Sequence, residues 1–490
     1  MAWFYACTIS GILVPISLWY TYYRYKFIYF DRRGIPHIKP AMLSYKERSK
    51  ELINGAYEKF KATVPVVGIF LENAPAFVVL DLDLVKRILI DDFTSFSDRL
   101  NENEIYSPDN AKWQAILRRL TPAFWSVKMA HIFPSVMKAA ECLRGKSSGL
   151  LPSEYVTIDV KALFIRYAAS ALLSCVFGVE LDDASDPAVA LRLRIKDLLE
   201  QECKTILSNK AKGKLVYAEC TKCTQGQTEA QEFAELEEVV LKARIEKRSN
   251  EASNNNILQL LAEMMANDEE GDSEINRLDY ELQAMRLAVR SLALLLTGFG
   301  HLALTLVNCV RELVENAEVQ RELRQEVVDV LQSNADQFNF EAMGRMHYLD
   351  QVVSETLRKY PTTDLLMRRT MREYHVPNTM HVIERNASVL VPVYAIHHDP
   401  SIYPEPDQFD PSRFNAAAVM TRHSCAYLAF DDGPRTCWGK RLSTMLIKVA
   451  VVTLLHRHTI AVSEDAQQPV EERKTDEESV SEVMVKLQRV

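Results

Sequence analysis

The hydrophobic pattern of the chain begins with an uncharged stretch. Residues 1–23 (MAWFYACTISGILVPISLWYTYY) contain no charged side chain, and four basic residues follow between Arg24 and Arg33. About 20 apolar residues are needed to cross a bilayer, and aromatic and basic residues are typical of its cytoplasmic boundary. A cleaved signal peptide would carry its charge before the apolar stretch and small residues after it. The pattern therefore predicts a retained transmembrane signal anchor over 1–23, then a basic, proline-rich hinge over 24–44 and a cytosolic remainder.

The pattern beyond the hinge predicts secondary structure of two kinds. Short apolar runs separated by turn residues between 65 and 90 predict strands, whereas stretches such as YLDQVVSETLRKY have a helical period. The longest helical pattern covers 278–317 and predicts a helix buried through the middle of the protein. Residues 360–430, rich in Pro, Asp and Tyr, predict ordered coil with short strands. The fold class is therefore mainly α with a small β-rich part, in a single domain over 45–490.

The composition narrows the choice of partners and compartment. The 490 residues include 58 basic and 66 acidic side chains, a formal net charge of -8, so no basic excess points to a nucleic-acid partner. The 9 cysteines are scattered, which fits a reducing, cytosol-facing compartment. Cys220 and Cys223 form a single C-x-x-C, and no second pair or nearby histidine cluster completes a zinc site.

The stretch FDDGPRTCWG places one cysteine, Cys437, in a constrained loop. One interpretation is a buried structural cysteine, and the other is a metal ligand. For a ligand, Gly433 and Gly439 would let the loop turn and bring N–H groups to the sulfur. Phe430 would shield the thiolate, and Arg435 would reach a carboxylate beside the metal. The apolar pattern that follows predicts a helix starting at the thiol, whose N-terminus favours the anionic form.

Three further charged residues favour the metal ligand over the structural cysteine. The loop pattern F-x-x-G-x-R-x-C-x-G closely resembles the haem-binding loop of cytochrome P450 proteins. Upstream, SETLR supplies Glu355 and Arg358, which match the family's E-x-x-R, and YPEPDQFDPSRF supplies Arg413 in its P-x-x-F-x-P-x-R-F stretch. In the family these charges form a buried network before the cysteine. The resemblance covers nearly the whole chain, is strongest to the insect microsomal detoxifying branch, and implies the cytochrome P450 fold.

The resemblance also implies a cofactor and its contacts. The cofactor would be haem b (iron protoporphyrin IX), with the Cys437 thiolate as the axial ligand of the metal. The haem propionates would contact Trp113, Arg368 and Arg435. Arg369 would substitute for Arg368 if the register shifted by one residue.

The helix that carries the tryptophan departs from the family at one position. The family's W-x-x-x-R pattern would place an arginine at 117, where this sequence has Leu117, and Arg118 and Arg119 point to another face of the helix. These arginines are either ordinary solvated charges or part of a basic patch for an acidic reductase. The other members of that patch would be Lys128, Lys440 and Arg441.

A larger departure lies in the long central helix, where the family has A-G-x-[DE]-T. The acid and the threonine of that motif relay protons for the oxygen chemistry. The aligned stretch here is TGFGHLA, in which Gly298 is kept, Gly300 replaces the acid and His301 replaces the alcohol. Three interpretations of His301 stay open. It donates protons itself, it coordinates the iron as a sixth ligand, or it is tolerated while water or Thr305 takes over the relay.

The resulting expectation is a haem-thiolate monooxygenase on the cytosolic face of the endoplasmic reticulum membrane, held by its single N-terminal anchor. It would oxidise small lipophilic compounds (xenobiotic, steroid or fatty-acid-like) with O2. Electrons would come from NADPH through NADPH–cytochrome P450 reductase, with cytochrome b5 as a second donor. The replaced acid–alcohol pair keeps two alternatives: a haem-thiolate isomerase or peroxide-using enzyme, and a haem-binding protein of low activity.

Overall fold

The structure is a computed structural model of the chain. It describes residues 28–38, 49–71, 74–98, 126–144, 155–178, 186–211, 256–257, 292–462 and 484–489. The predicted anchor, most of the hinge, Trp113, Leu117, Arg118, Arg119, Cys220 and Cys223 lie outside the described residues.

The described helices form most of the fold. In chain order they are α1 (Ser49–Phe60), α2 (Leu82–Lys86), α3 (Ser126–Ala140), α4 (Val160–Ala171), α5 (Asp186–Ala211), α6 (Leu292–Glu315), α7 (Ala317–Gln332), α8 (Phe340–Gly344), α9 (His347–Lys359), α10 (Val393–His397), α11 (Ala416–Thr421) and α12 (Lys440–Leu455). Two of them continue as π-helical turns, α2 into Arg87–Asp91 and α4 into Leu172–Phe177. The mainly α fold class is confirmed.

The strands form three small sheets. They are β1 (Val66–Leu71), β2 (Ala74–Val79), β3 (Tyr155–Asp159), β4 (Leu366–Arg369), β5 (Tyr374–His375), β6 (Val382–Ile383), β7 (Ser388–Val391), β8 (His458–Val462) and β9 (Met484–Arg489). The largest sheet has the order β1-β2-β7-β4, and the others are β3-β9-β8 and β5-β6. The strands predicted between 65 and 90 are β1 and β2, but residues 82–91 are helical.

In the largest sheet, strands from opposite ends of the chain pair with each other. β1 and β2 are an antiparallel hairpin, whereas β2 pairs in parallel with β7 through Ala76–Val78 and Ser388–Leu390. Antiparallel strands can be joined by a short turn, but parallel strands need a long connection. Here the connection contains nearly all of the helical part of the protein.

Helix α6 crosses the helical part and is the described section of the long helix predicted over 278–317. It packs against α4, α5, α9 and α12. Since its sequence is largely apolar, it can bury several faces at once. This central position brings its side chains to the cavity described below.

One described segment, Val160–Phe177, is long and apolar enough to cross a membrane. It comprises α4 and its π-helical continuation, and 78% of it is buried inside the protein. It packs against α3, α5 and α6. Its apolar character is therefore accounted for by the core.

The core has two parts that meet near the cysteine loop. The larger part surrounds α6 and α12, and the smaller part lies under the sheet that contains β1 and β7. Leu428 belongs to the smaller part and Ala429 to the larger. The loop that follows therefore begins at the junction of the two.

Candidate active site

The loop from Phe430 to Cys437, called the thiol loop below, closes on itself through backbone hydrogen bonds. The Cys437 N–H donates to the Phe430 carbonyl at 2.8 Å. Between them, Gly433–Arg435 form a 3-10 turn that is capped by the Asp432 carboxylate on the Gly433 N–H at 2.8 Å. These bonds fix the backbone position of Cys437 at the end of the loop.

Gly433 attaches the thiol loop to the π-helical turn Arg87–Asp91. Its φ is +70°, a left-handed conformation, and an added Cβ would lie 2.1 Å from the Leu89 carbonyl oxygen. Glycine is needed here both for the backbone conformation and for the close approach. Gly439 differs, because a Cβ there would make only ordinary contacts, at 3.8 Å from Cys437 Sγ and Ser443 Oγ.

Helix α12 begins at Lys440, three residues after Cys437. The prediction that this helix starts at the thiol is therefore wrong. Trp438 and Gly439 form a turn between the cysteine and the first helical residue, and the Lys440 N–H donates to the Cys437 carbonyl at 3.2 Å. The thiol still lies close to the N-terminal end of α12.

The Cys437 thiol faces a large cavity. Among the cysteines that the structure describes, Cys437 alone is exposed, while the others are buried or partly buried. A buried structural cysteine therefore does not describe it. The cavity contains about 1300 Å³ of space, part of it open to solvent. Besides the thiol loop and α12, its walls come from α6 and from Thr362, Thr363 and Leu366.

Helix α6 turns one face toward the same cavity. Gly298, His301, Leu302 and Thr305 line it, as expected for positions three and four residues apart on a helix. Gly298 leaves open space, because an added Cβ would meet nothing within 4 Å. His301 and Cys437 therefore lie in the walls of one cavity.

Gly300 lies on another face of α6. An added Cβ there would lie 3.1 Å from Cγ of Glu202, a residue of α5. The Cys203 thiol, next along α5, approaches the Gly300 carbonyl at 3.7 Å. The missing acid of the family motif therefore corresponds to a position that a neighbouring helix covers.

His301 is neutral at physiological pH. Burial, and to a smaller extent the charge of Lys210, lower its pKa to about 3. Lys210 lies on α5 and donates a hydrogen bond of 2.8 Å to the Pro361 carbonyl, next to Thr362 of the cavity wall. A neutral imidazole can donate one hydrogen bond or bind a metal, but it carries no excess proton to deliver.

Thr305 is nearly buried, and its hydroxyl already has a partner. Thr305 Oγ1 donates to the His301 carbonyl at 2.8 Å, one turn back along α6. This bond is the usual local alternative for a threonine within a helix. A proton relay through Thr305 would have to break it.

The three charges of the predicted network do meet. Arg358 donates to both carboxylate oxygens of Glu355, at 2.7 and 2.9 Å, and neither side chain is exposed. The Asp410 N–H donates to Glu355 at 3.0 Å, and Arg413 Nε lies 3.5 Å from the same oxygen. Burial raises the pKa of Glu355, and Arg358 opposes that effect. The network joins α9 to the coil that precedes the thiol loop.

His397 extends this network and was missed by the sequence analysis. Arg358 donates to the His397 carbonyl at 2.8 Å, and the Leu428 N–H donates to His397 Nε2 at 2.9 Å. Burial lowers the pKa of His397 to about 3, so the ring stays neutral and can accept this bond. The histidine lies in the stretch IHHDP, but its role depends on a contact that only the fold creates.

Of the two described arginines predicted to bind propionates, Arg435 lines the cavity and Arg368 is joined to its wall through Asp431. Arg435 donates to the Ser97 carbonyl at 2.8 Å. Arg368 is 1% exposed and donates to both carboxylate oxygens of Asp431 at 2.8 Å. Arg369 instead lies 3.7 Å from Asp98, on the other face of β4. Asp431 was missed by the sequence analysis.

The residues around the cavity fit a haem. A single exposed thiol can ligate one iron, apolar side chains such as Leu366 and Leu446 suit a macrocycle, and Arg435 suits an anionic propionate. Because position 433 requires glycine, no side chain at this position separates the thiol loop from the π-helical turn Arg87–Asp91. Within the described residues, no group of three or more His, Cys, Asp or Glu could hold a metal ion.

Comparison with known proteins matches the chain to one protein family. The family model described as Cytochrome P450 matches residues 34–485. The chain is 32% identical over 480 residues to the probable cytochrome P450 6a13 of Drosophila melanogaster, covering 94% of this chain and 93% of that protein. It is 30% identical over 482 residues to cytochrome P450 6A1 of Musca domestica, with the same two coverages.

Proposed function

Because the chain belongs to the cytochrome P450 family of haem-thiolate monooxygenases, we propose that it oxidises small lipophilic compounds, with Cys437 as the axial ligand of the iron. The observation that carries the assignment is the exposed Cys437 thiol, which shares a cavity with the α6 face around His301. Haem, when bound, supplies the electron-transfer and oxygen chemistry. The apolar side chains of the cavity favour lipophilic substrates of xenobiotic, steroid or fatty-acid-like structure.

The remaining site residues hold the cofactor and its loop. Arg435 and Arg368 lie where they could contact the propionates, and Phe430 and Gly439 adjoin the thiol. Glu355, Arg358 and Arg413 support the thiol loop from behind and touch no substrate. Removal of one member of such a buried charge network leaves the others uncompensated.

Electrons are proposed to come from NADPH through NADPH–cytochrome P450 reductase, with cytochrome b5 as a second donor. Support comes from the basic residues near the thiol. Lys440 and Arg441 open α12 and are exposed, and Lys128 lies on α3, which packs against α12. Basic side chains on one surface steer the approach of an acidic partner.

The α6 face supports a second candidate, a haem-thiolate isomerase or peroxide-using enzyme. His301 is neutral, the Thr305 hydroxyl donates a hydrogen bond to a helix carbonyl, and position 300 faces α5 instead of the cavity. Each of these features limits the supply of protons from α6. A reductase-driven monooxygenase depends on that supply, whereas a peroxide-using enzyme depends on it less. A haem-binding protein of low activity is the third possibility.

Spectroscopy and turnover of the full chain test these proposals. The ferrous carbon monoxide complex should have a thiolate spectrum that Cys437→Ala loses and Cys142→Ala keeps, since Cys142 does not line the cavity. A thiolate spectrum in the Cys437→Ala variant would contradict the ligand assignment. Product formation with NADPH and reductase supports the monooxygenase, and product formed only with peroxide supports the second candidate.

A further inference from the structure

Arg368, proposed above as a propionate ligand, already holds a carboxylate from the thiol loop. One terminal nitrogen of Arg368 lies 2.8 Å from each carboxylate oxygen of Asp431. The side chains are 1% and 7% exposed, so water screens this pair only weakly. Charge-assisted hydrogen bonds of this kind are about twice as strong as neutral ones.

The loop also fixes Asp431 in place. Its φ is +63°, a left-handed conformation that few residues other than Gly, Asn and Asp adopt readily. The Asp432 N–H donates to Asp431 Oδ1 at 2.8 Å. The carboxylate is thus held by its own loop as well as by Arg368, and it cannot turn away without losing both contacts.

Asp431 faces the space in which the cofactor would lie. Asp431, Arg435 and Cys437 line the same cavity, and Arg368 contacts the cavity wall through Asp431. A propionate that approached Arg368 would therefore meet the Asp431 carboxylate. Two carboxylates would compete for one guanidinium, and each would repel the other.

We propose that Asp431 is a positioning residue that competes with a haem propionate for Arg368. As a result, this chain holds its haem less tightly than it would with a neutral residue at 431. The added negative charge near the iron also favours the ferric over the ferrous state, which lowers the reduction potential. The inference rests on the proposed function, specifically on Cys437 as ligand and Arg368 as propionate contact.

Asp431→Asn in the full-length, haem-loaded protein is the test. Asparagine keeps the size and the tolerance for positive φ, but it removes the charge. Two measurements apply: the rate of haem transfer to excess apomyoglobin, and the ferric–ferrous potential. We expect haem loss to slow about tenfold, as for one charge-assisted hydrogen bond gained, and the potential to rise.

Asp432→Asn is the matched control. It removes the same charge one residue further on and keeps an acceptor for the Gly433 N–H, to which the Asp432 side chain is bonded. It should change neither quantity by as much as Asp431→Asn does. Equal effects of the two variants would mean a general charge effect and would overturn the proposal.

Two further outcomes would also overturn it. If Asp431→Asn left both quantities unchanged, Asp431 and the propionate would not compete. If it lost haem faster, Asp431 would be holding Arg368 in place for the propionate. Asp431→Gly, which suits the positive φ, gives the same readouts if the asparagine variant does not fold. A wild-type protein without a thiolate spectrum would instead refute the proposed function itself.

Discussion

At the scale of single residues, contacts between remote segments shape the thiol loop. Gly433 packs on the Leu89 carbonyl, and Arg435 donates to the Ser97 carbonyl. Both partners lie more than three hundred residues earlier in the chain. The geometry at the thiol therefore depends on how closely the segment that contains Leu89 and Ser97 approaches the thiol loop.

Gly433→Ala should abolish haem incorporation. Its Cβ would lie 2.1 Å from a backbone oxygen at φ +70°, so the thiol loop or the turn at 87–91 would have to move. The left-handed conformation alone costs about 1–2 kcal/mol for alanine. Haem content per folded protein, from absorbance and circular dichroism, is the measurement. Gly439→Ala is the control, because its Cβ makes only ordinary contacts, and normal haem content in Gly433→Ala would contradict this account.

His301 should make stability depend on pH below neutrality. Its pKa is lowered from 6.5 to about 3 in the fold, so the unfolded chain binds the proton more tightly. The stability from this group is complete above about pH 6.5 and is lost as the pH falls toward about 3. The free energy of unfolding should thus fall between about pH 7 and about pH 5.5, by at most about 1.4 kcal/mol per pH unit from this group.

Urea unfolding at both pH values measures the effect. His301→Leu should show a smaller fall than the native protein, whereas His375→Leu should match it, since His375 is exposed. An unchanged pH dependence in His301→Leu would mean that the imidazole is not buried in its neutral form.

The sequence was most informative where a function depends on spacing along the chain. Glu355, Arg358 and Cys437 could be recognised because their motifs are local, and the structure places the two charges in one buried pair. Asp431 and Glu202 could not be recognised, since their importance comes from Arg368 and Gly300 in other elements. The start of α12 was misplaced because an apolar pattern does not show where a turn ends.

At the scale of elements, α5 and α6 together determine what the cavity can contain. Lys210 of α5 lies near enough to lower the pKa of His301. Glu202, two turns earlier on α5, covers Gly300. The helical face that the family uses for its acid is therefore a packing surface in this protein.

Restoring the acid at position 300 should destabilise the protein. A Cβ at 300 would already lie 3.1 Å from Glu202 Cγ, and a glutamate would add a second negative charge. Gly300→Glu should lower the free energy of unfolding by about 1–3 kcal/mol, the usual cost of overpacking. Gly300→Glu together with His301→Thr would restore both the acid and the alcohol of the family motif. We now expect His301→Thr alone to be the better-tolerated change, because its side chain faces the cavity.

Glu202→Ala provides the control in a double-mutant cycle. It should recover most of the stability that Gly300→Glu loses, which would show that the two positions interact directly. If the double variant were no more stable than Gly300→Glu, the loss would have another origin. Thermal or urea unfolding of the four proteins gives the comparison.

At the scale of the whole molecule, the described fold begins with residues that are part of the core. Phe30 is fully buried, and its ring leaves no room for a Cβ on Gly68, which would lie 2.5 Å away. Tyr57 of α1 donates to Asp399 at 2.9 Å. The early segment is thus integrated with the late one, and removing Phe30 would break contacts within the core.

Deleting residues 1–23 should release much of the protein from membranes and leave the thiolate spectrum intact. The deletion removes the proposed anchor but keeps Phe30 and the hydrogen bonds around it. Fractionation after expression, together with the carbon monoxide spectrum, is the measurement. Deleting 1–38 is the contrasting variant and should lose folded haem protein, because it also removes Phe30. Unchanged membrane attachment after the shorter deletion would contradict the anchor.

The parallel pairing of β2 with β7 has a consequence for synthesis on the ribosome. Residues 76–78 emerge early, but their partners at 388–390 are translated about three hundred residues later. Until then the nascent chain carries an unpaired strand edge of apolar residues, which other chains can join. Chaperone binding should therefore concentrate on this hairpin during translation, and haem capture through the proposed ligand Cys437 must wait until about nine-tenths of the chain has been made.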